Sequence, residues 1–198
     1  MSLELWNTFG TFGTFLVIAG TAVAALVQLR HMRGSNQIAA LSDLFEKERT
    51  SEYVAARQFV FSGLPEKMKD PAFRRQIVNS ATQTGENAEL IAKILATGSY
   101  YEEMGIFAKF GLVDCNLLFD MHAGNIVMAW DALSDVTALR REHQSPLVYE
   151  NFKYVTVLAQ DWMAKHTSGT YPPNVRRLDL PSRWRSGGVP LTSNVQHP

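Results

Sequence analysis

The sequence predicts an all-α protein in which one transmembrane helix precedes a small antiparallel helical bundle and a disordered C-terminal tail. Residues 5–29 contain no charged side chain and are mostly apolar. Apolar residues then recur at helical spacing through several segments, without a recognisable strand pair or hairpin turn. Prolines and arginines become frequent near the C-terminus. We therefore divide the chain into an anchor with a basic flank (1–33), a helical domain (34–167) and a mobile tail (168–198).

The uncharged stretch is long enough to cross a bilayer as a helix, because about 20 apolar residues span the hydrocarbon core. Aromatic residues that suit the headgroup region lie towards its N-terminal end, and basic residues follow its C-terminal end. These anchoring residues are Trp6, Phe9, Phe12, Arg30 and Arg33. Because positive flanks tend to stay in the cytoplasm, we expect a single-pass protein with its N-terminus outside and its helical domain in the cytoplasm.

Two other interpretations of this stretch stay open. A cleavable signal peptide is one, since residues 22–24 (Ala-Val-Ala) match a cleavage site, although the leader lacks a positive n-region. A buried core helix is the other, although such helices rarely lack charge over this length. Small residues such as Gly10 with Thr14, and Thr21 with Ala25, share a helix face and would let a second span approach. They allow a homo-oligomer, and the alternative is a monomeric anchor.

The composition of the chain and the motifs that it lacks give no support to several classes of function. The 198 residues carry 19 basic and 19 acidic side chains, so net charge gives no reason to expect nucleic acid as a partner. The single Cys115 excludes an intrachain disulfide and fits a reducing cytoplasm. The sequence has no zinc-type Cys/His spacing, no phosphate-binding or dinucleotide-binding loop and no nucleophile elbow. We expect no cofactor and no metal, with the lipid bilayer and an unidentified protein as partners.

The helical domain is predicted to begin close to the anchor. Apolar residues recur at helical spacing over residues 38–61. We expect Gly-Ser-Asn at 34–36 to kink or briefly interrupt the helix, and residues 62–65 (Ser-Gly-Leu-Pro) to end the pattern. The next helix begins at Asp70, an N-cap followed by Pro71 at the first helical position.

A long helix is predicted from about Glu86 to Phe110. Gly98 and Gly105 lie inside it, and because glycine weakens a helix we expect close packing at both positions. Gly111 is placed as the residue that ends the helix in a left-handed conformation.

Two more helices complete the domain. Asp114 is the predicted N-cap of the first, with Val113 packing on Leu118 as a hydrophobic staple, and this helix ends near His143. The last helix is predicted to begin at residues 145–146 (Ser-Pro). Its apolar face consists of Val148, Phe152, Val155, Leu158, Ala159 and Trp162.

A polar cluster in these helices is the candidate functional or structural region. It comprises Tyr101, Glu102, Glu103, Asp114, His122 and Trp130. At most one of Glu102 and Glu103 faces inward, because neighbouring helical residues point about 100° apart. A buried Glu there is either an acid/base group with a raised pKa or, as we favour, a hydrogen-bonding residue that holds two helices in register.

The other reactive residue types lack the partners that chemistry requires. His122 follows Asp120 by two residues, but no Glu or His at helical spacing accompanies it as a second metal ligand. Cys115 lies at a helix N-terminus, where a thiolate is favoured, without a base positioned by the sequence. We therefore assign no catalytic residue.

Several blocks of the sequence also resemble a known family. They are residues 100–107 (YYEEMGIF), 110–114 (FGLVD), the flank 28–30 (QLR), Trp130, and 149–152 (YENF) ahead of Trp162. Together they resemble the DUF4760 family of bacterial domains of unknown function over most of residues 5–165. The resemblance implies one N-terminal span in the bacterial inner membrane and a short helical cytoplasmic domain. It implies no activity and no catalytic residues.

These observations lead to two alternative functions. The first is a membrane-anchored scaffold or regulatory module that binds itself or a protein partner, without enzymatic activity. The alternative is a membrane-tethered enzyme or effector with a site in residues 101–114 that faces His122. A cleft that joins Glu102 or Glu103 to His122 and Asp120 would favour the alternative.

Overall fold

A computed structural model describes residues 3–178, and the side chains of residues 3–10, Arg33 and Ser80 lie outside that description. The described part is all-α, as predicted. Its helices are α1 (Leu3–Arg49), α2 (Ser51–Gln58), α3 (Leu64–Lys67), α4 (Pro71–Val78), α5 (Gly85–Lys109), α6 (Cys115–His143) and α7 (Glu150–Lys165). A π turn (Phe59–Gly63) joins α2 to α3, and a 3₁₀ turn (Ser80–Thr82) follows α4. The chain divides into two units, one ending at Thr167 and one beginning at Ser168.

Helix α1 is continuous over 47 residues. It passes through Gly34 without a break, so the expected brief interruption at residues 34–36 is wrong, and the expected near-continuity of the apolar stretch with the next helix is confirmed. The cost of one glycine is about 1 kcal/mol, which regular hydrogen bonding on both sides of Gly34 outweighs. The helix first breaks at Thr50, whose hydroxyl accepts the Tyr53 N–H at 3.3 Å and thereby caps α2.

The N-terminal part of α1 presents its apolar side chains to the surroundings. Large residues that are about half or more exposed are Phe12, Phe15, Leu16, Val17, Ile18, Val23, Leu26, Val27 and Leu29. Phe12 and Arg30 are exposed, whereas the side chains of Trp6, Phe9 and Arg33 lie outside the described residues. In the described chain, α1 is the helix whose length and composition suffice to cross a membrane, which also fits a signal sequence.

The helical path does not end at residues 62–65, contrary to the prediction. It continues through the π turn, where the Leu64 N–H donates to the Phe59 carbonyl, and then through α3. Pro65 lies in the first turn of α3, where a helix tolerates proline. The predicted cap at Asp70 is confirmed, since its carboxylate accepts the Ala72 N–H at 2.8 Å.

The turn between α5 and α6 is fixed by two helix caps. Gly111 has a φ of 64°, and the Leu112 N–H donates to the Phe107 carbonyl at 2.9 Å, which is the Schellman pattern. Asp114 then accepts the N–H groups of Asn116 and Leu117 at 2.8 and 3.2 Å. Both predicted caps are confirmed.

Helix α7 begins at Glu150 rather than at residues 145–146. The intervening residues form a turn, in which the Val148 N–H donates to the Ser145 carbonyl at 3.2 Å. Tyr149 ends the turn in the left-handed conformation, with a φ of 55°. The chain needs this turn because it reverses direction between α6 and α7.

The bundle packs around α7, which lies against both α5 and α6. The segment from the end of α1 to α3 runs antiparallel to α5, as the contacts Lys47–Glu103, Tyr53–Tyr100 and Lys67–Glu86 show in order. Helix α6 runs antiparallel to α7, as the contacts Trp130–Phe152 and Phe119–Trp162 show. The largest fully buried side chains include Tyr101, Phe73, Phe152, Leu44 and Leu64.

The second unit is described over residues 168–178, which form no regular helix. Within it, the Tyr171 hydroxyl donates to the Arg176 carbonyl at 3.0 Å, and the Arg177 guanidinium lies 5.0 Å from the Tyr171 ring centre. Residues 179–198 lie outside the described residues, so the disorder of the tail stays a prediction.

Candidate functional site

Glu102 joins α5 to the first turn of α7. Its carboxylate accepts the Asn151 side-chain amide at 2.7 Å, the Asn151 backbone N–H at 3.3 Å and the Phe152 N–H at 2.7 Å. Because the left-handed Tyr149 provides no side-chain cap for α7, Glu102 supplies that cap from another helix. A negative charge there also complements the positive end of the α7 dipole. The arrangement agrees with the structural interpretation of this glutamate.

Two glycines allow α5 to approach the start of α7. A Cβ atom at Gly105 would overlap the Asn151 backbone carbonyl, and one at Gly98 would overlap the Tyr149 ring. The close packing predicted at both glycines is therefore confirmed. The blocks 100–107 and 149–152, which contribute to the family resemblance, meet at this contact.

Glu103 points away from Glu102 and pairs with α1. Lys47 donates to its carboxylate at 2.9 Å and also lies 3.2 Å from Asp43. The hydrogen bond to Glu103 raises the pKa of Lys47 despite partial burial. All three side chains are partly exposed. The Lys47–Glu103 pair therefore fixes the register of α5 against α1 more than it stabilises the fold.

His122 is buried against the end of α1. Its ring centre lies 5.4 Å from that of Phe45, and its Nδ1 lies 3.9 Å from the Glu48 carboxylate. Glu48 also accepts a hydrogen bond from Arg57 at 3.1 Å. The His122 Nε2 is buried without a hydrogen-bond partner. Burial lowers the pKa of His122, and the charge of Glu48 opposes this shift.

Tyr53, Tyr100 and Tyr101 form a tyrosine cluster between α2 and α5. The ring centres of Tyr53 and Tyr100 lie 4.5 Å apart, and those of Tyr100 and Tyr101 lie 5.2 Å apart. Burial raises the pKa of all three phenols, and the negative charge of Glu48 contributes to each shift. The hydroxyls of Tyr53 and Tyr100 are buried without a hydrogen-bond partner. The phenols are therefore neutral at physiological pH.

Tyr101 and Trp130, both predicted site residues, meet through Phe152. The Tyr101 ring stacks on Phe152 with centres 4.9 Å apart, and the Trp130 ring meets Phe152 edge-on at 5.1 Å. Arg141 lies 6.0 Å from the Trp130 ring centre and donates to the Val148 carbonyl at 2.9 Å. Tyr101 and Phe152 are fully buried, and the half-buried Trp130 packs against them from the edge of the core.

Three further residues lie at the N-terminus of α6 or along it. Asp114 caps α6, and Asp120 is exposed on the same helix. Cys115 is half-buried, and burial followed by the charge of Asp114 raises the pKa of its thiol, which opposes thiolate formation. Among the described side chains, no group of three His, Cys, Asp or Glu residues is arranged to hold a metal ion.

The structure therefore distributes the predicted polar residues among different partners. Glu102 bonds to α7, Glu103 bonds to Lys47, and His122 faces Glu48. Sequence reasoning missed Glu48 and Arg57, because their relation to His122 arises only when α1, α2 and α6 pack together. No spacing along the chain signals that contact.

An open groove of about 600 Å³ lies between α2 and α5, beside the tyrosine cluster. Small and aromatic residues form much of its wall, including Ala55, Ala56, Ala92, Ala96, Tyr53 and Tyr100. Charged residues of both signs, such as Lys93 and Glu52, also line it. A mostly apolar groove that also carries charges of both signs suits a protein side chain or helix better than a strongly charged small molecule.

The burial of His122 makes the fold sensitive to acid. Its ordinary pKa is 6.5 and its folded-state pKa is lower, so the unfolded chain takes up the proton first as the pH falls. The contribution of neutral His122 to the free energy of unfolding is fully present above pH 6.5. It is lost as the pH falls towards the folded-state pKa of His122. Lowering the pH from about 7.5 to about 5.5 is expected to reduce the unfolding temperature, and His122→Leu is expected to reduce that loss.

The control for this prediction is His143→Leu, because His143 is exposed on the same helix. Thermal unfolding of the full chain in detergent micelles at both pH values gives the comparison. An acid-induced loss that is the same in wild type and in His122→Leu would contradict the role of His122.

The chain is similar to a known protein family over most of its length. A model described as a domain of unknown function, DUF4760, matches residues 15–162, which confirms the resemblance carried by the motif blocks. No curated protein and no solved structure matches the chain. The matched region begins inside the apolar part of α1 and includes Glu48, Glu102 and His122.

Proposed function

Because this chain belongs to the DUF4760 family, whose function is unknown, we propose a function from its own geometry. The protein is a single-pass membrane protein whose helical bundle lies on the cytoplasmic side. There the bundle is a scaffold or regulatory module that binds a second copy or another protein.

The observation that supports the anchor is the exposed apolar surface of α1. Burying one large apolar side chain is favourable by about 1.5–3 kcal/mol relative to leaving it in water. Nine such side chains are exposed between Phe12 and Leu29, so this part of α1 is stable only in an apolar environment. The same helix continues into the bundle, where Leu41 and Leu44 are buried. The span and the first helical segment of the bundle are therefore parts of one continuous helix.

The charges around the span support the orientation. Arg30, His31 and Arg33 follow the apolar stretch, whereas the leader before it carries Glu4 and no lysine or arginine. Basic flanks of this kind are retained on the cytoplasmic side.

The roles of these polar side chains support binding rather than catalysis. Glu102 caps a helix, Glu103 pairs with Lys47, and the phenols of the tyrosine cluster are neutral. The apolar groove between α2 and α5 remains as a contact surface for protein.

Cysteine labelling in intact bacterial cells tests the anchor and its orientation. In a Cys115→Ser background, Ser2→Cys is expected to react with a membrane-impermeant maleimide from outside. Leu147→Cys, in the exposed turn before α7, is expected to react only after lysis. The reversed pattern would contradict the orientation. A mature protein that begins after residue 24 would show a cleaved signal peptide and contradict the anchor.

Photo-crosslinking in native membranes tests the binding role. A photoreactive residue replacing Ala96, in the groove, is compared with one replacing Ala138, on the exposed face of α6. The groove position is expected to yield one defined adduct, with a second copy or with one protein that also co-purifies with the unmodified chain. An equal absence of adducts at both positions would argue against a binding module.

A further inference from the structure

We propose that the corner between α5 and α6 rests on the lipid surface on the side where α1 leaves the bilayer. The corner comprises residues 110–117. This inference rests on the membrane anchor proposed above and adds a second membrane contact, with lipid headgroups and the upper acyl chains as the ligand. It makes the bundle lie on the membrane instead of projecting from it on a stalk.

The direction of α5 places the corner near the membrane. Lys47 of α1 pairs with Glu103, and Lys67 of α3 pairs with Glu86, so α5 runs back along the chain towards the apolar part of α1. From Glu103 to Phe110 the helix rises about 10 Å, and the same rise along α1 from Lys47 reaches Ala40. The corner therefore lies about 15 Å along α1 from Arg30, where the uncharged stretch ends.

The outer surface of the corner carries large apolar side chains beside the exposed Asp114 and Asn116. Phe110 is 70% exposed, and Leu112 and Leu117 are each 47% exposed. Ile38 of α1, which lies at the same height by the rise of the helix, is 70% exposed. The neighbouring Val113 is buried, so these residues point outward from a corner that is anchored in the core.

Four backbone N–H groups of the corner already have acceptors within the protein. The N–H groups of Gly111 and Leu112 donate to carbonyls of α5, and those of Asn116 and Leu117 donate to the Asp114 carboxylate. Unpaired backbone groups are the main obstacle to entry into a bilayer. The corner can therefore enter the interface without a desolvation penalty for these groups.

The dimensions of the bilayer make this contact reachable. A 25-residue span is about 37 Å long and exceeds the hydrocarbon core of about 30 Å, so α1 tilts. A tilt towards the side that carries α5 lowers the corner to the headgroups. Lys109 at the end of α5 is exposed and favours anionic headgroups there.

Depth-dependent fluorescence quenching on the full chain tests the inference. The chain carries Cys115→Ser and a single cysteine at Phe110, Leu147 or Leu16, labelled with an environment-sensitive fluorophore. It is reconstituted into vesicles of zwitterionic and anionic phospholipid with a doxyl quencher near the headgroup or deep in the acyl chain. Leu147 is the matched control, since it is exposed and follows the opposite end of α6.

The label at Phe110→Cys is expected to be quenched several-fold more strongly by the shallow quencher than the label at Leu147→Cys. The label at Leu16→Cys is expected to respond to the deep quencher. Equal weak quenching at positions 110 and 147, with Leu16 in lipid, would overturn the second contact and leave the anchor intact. A Leu16 label outside lipid would overturn the anchor and this inference with it.

Discussion

Replacing Gly105 with alanine is expected to destabilise the protein by about 3 kcal/mol, the upper part of the range for overpacked sites. The new Cβ would overlap the backbone carbonyl of Asn151, and a backbone group cannot rotate away as a side chain can. Helices α5 and α7 would have to separate, which would also pull Glu102 from the α7 N-terminus. Urea unfolding of the full chain in detergent micelles measures the loss.

The matched control is Gly124→Ala on α6. A Cβ at Gly124 meets nothing within 4 Å, and its helical backbone suits alanine. This substitution is expected to raise the free energy of unfolding by about 0.5–1 kcal/mol, because alanine favours the helix and restricts the unfolded chain. Equal effects of the two substitutions would contradict the close contact at Gly105.

The substitution Glu102→Ala is expected to cost about 2–3 kcal/mol of unfolding free energy, because it removes a charged cap and leaves donors of α7 unpaired. Three hydrogen bonds to Asn151 and Phe152 are lost together. The N-terminal turn of α7 is also expected to exchange its amide hydrogens faster, which hydrogen-exchange mass spectrometry detects.

The adjacent Glu103→Ala provides the control. Glu103 forms a partly exposed ion pair with Lys47, so its loss is expected to cost less than about 1 kcal/mol. If Glu102→Ala left stability unchanged, the capping role would be wrong and the membrane-tethered enzyme would become the better interpretation.

The features that the sequence predicts well here depend on neighbouring residues. Asp70, Gly111 and Asp114 occupy the predicted caps because a cap needs only the first or last turn of its own helix. The glycines at 98 and 105 indicated close packing for a similar reason, since their cost within a helix requires compensation.

The features that the sequence did not predict depend on distant residues or on the relative strength of two helix-ending residues. The helix continues through Gly34 and breaks at Thr50, because a glycine is only a weak helix breaker and Thr50 is a good cap. Glu102 was a buried hydrogen-bonding candidate, but its partners lie 49 and 50 residues away along the chain. The contact of His122 with Glu48 likewise exists only after three helices have packed.

The π turn at Phe59–Gly63 has a consequence for comparing chain lengths among relatives. A π turn holds one residue more than the α-helix would at the same place. A relative that lacks one residue here and has no proline at the position of Pro65 can form an uninterrupted helix from α2 to α3 and still place Leu64 in the core, because the deletion removes the extra residue. One missing residue within α5 would instead rotate every later side chain of that helix by about 100°. Within the helical path from α2 to α3, a single-residue gap therefore belongs in this turn.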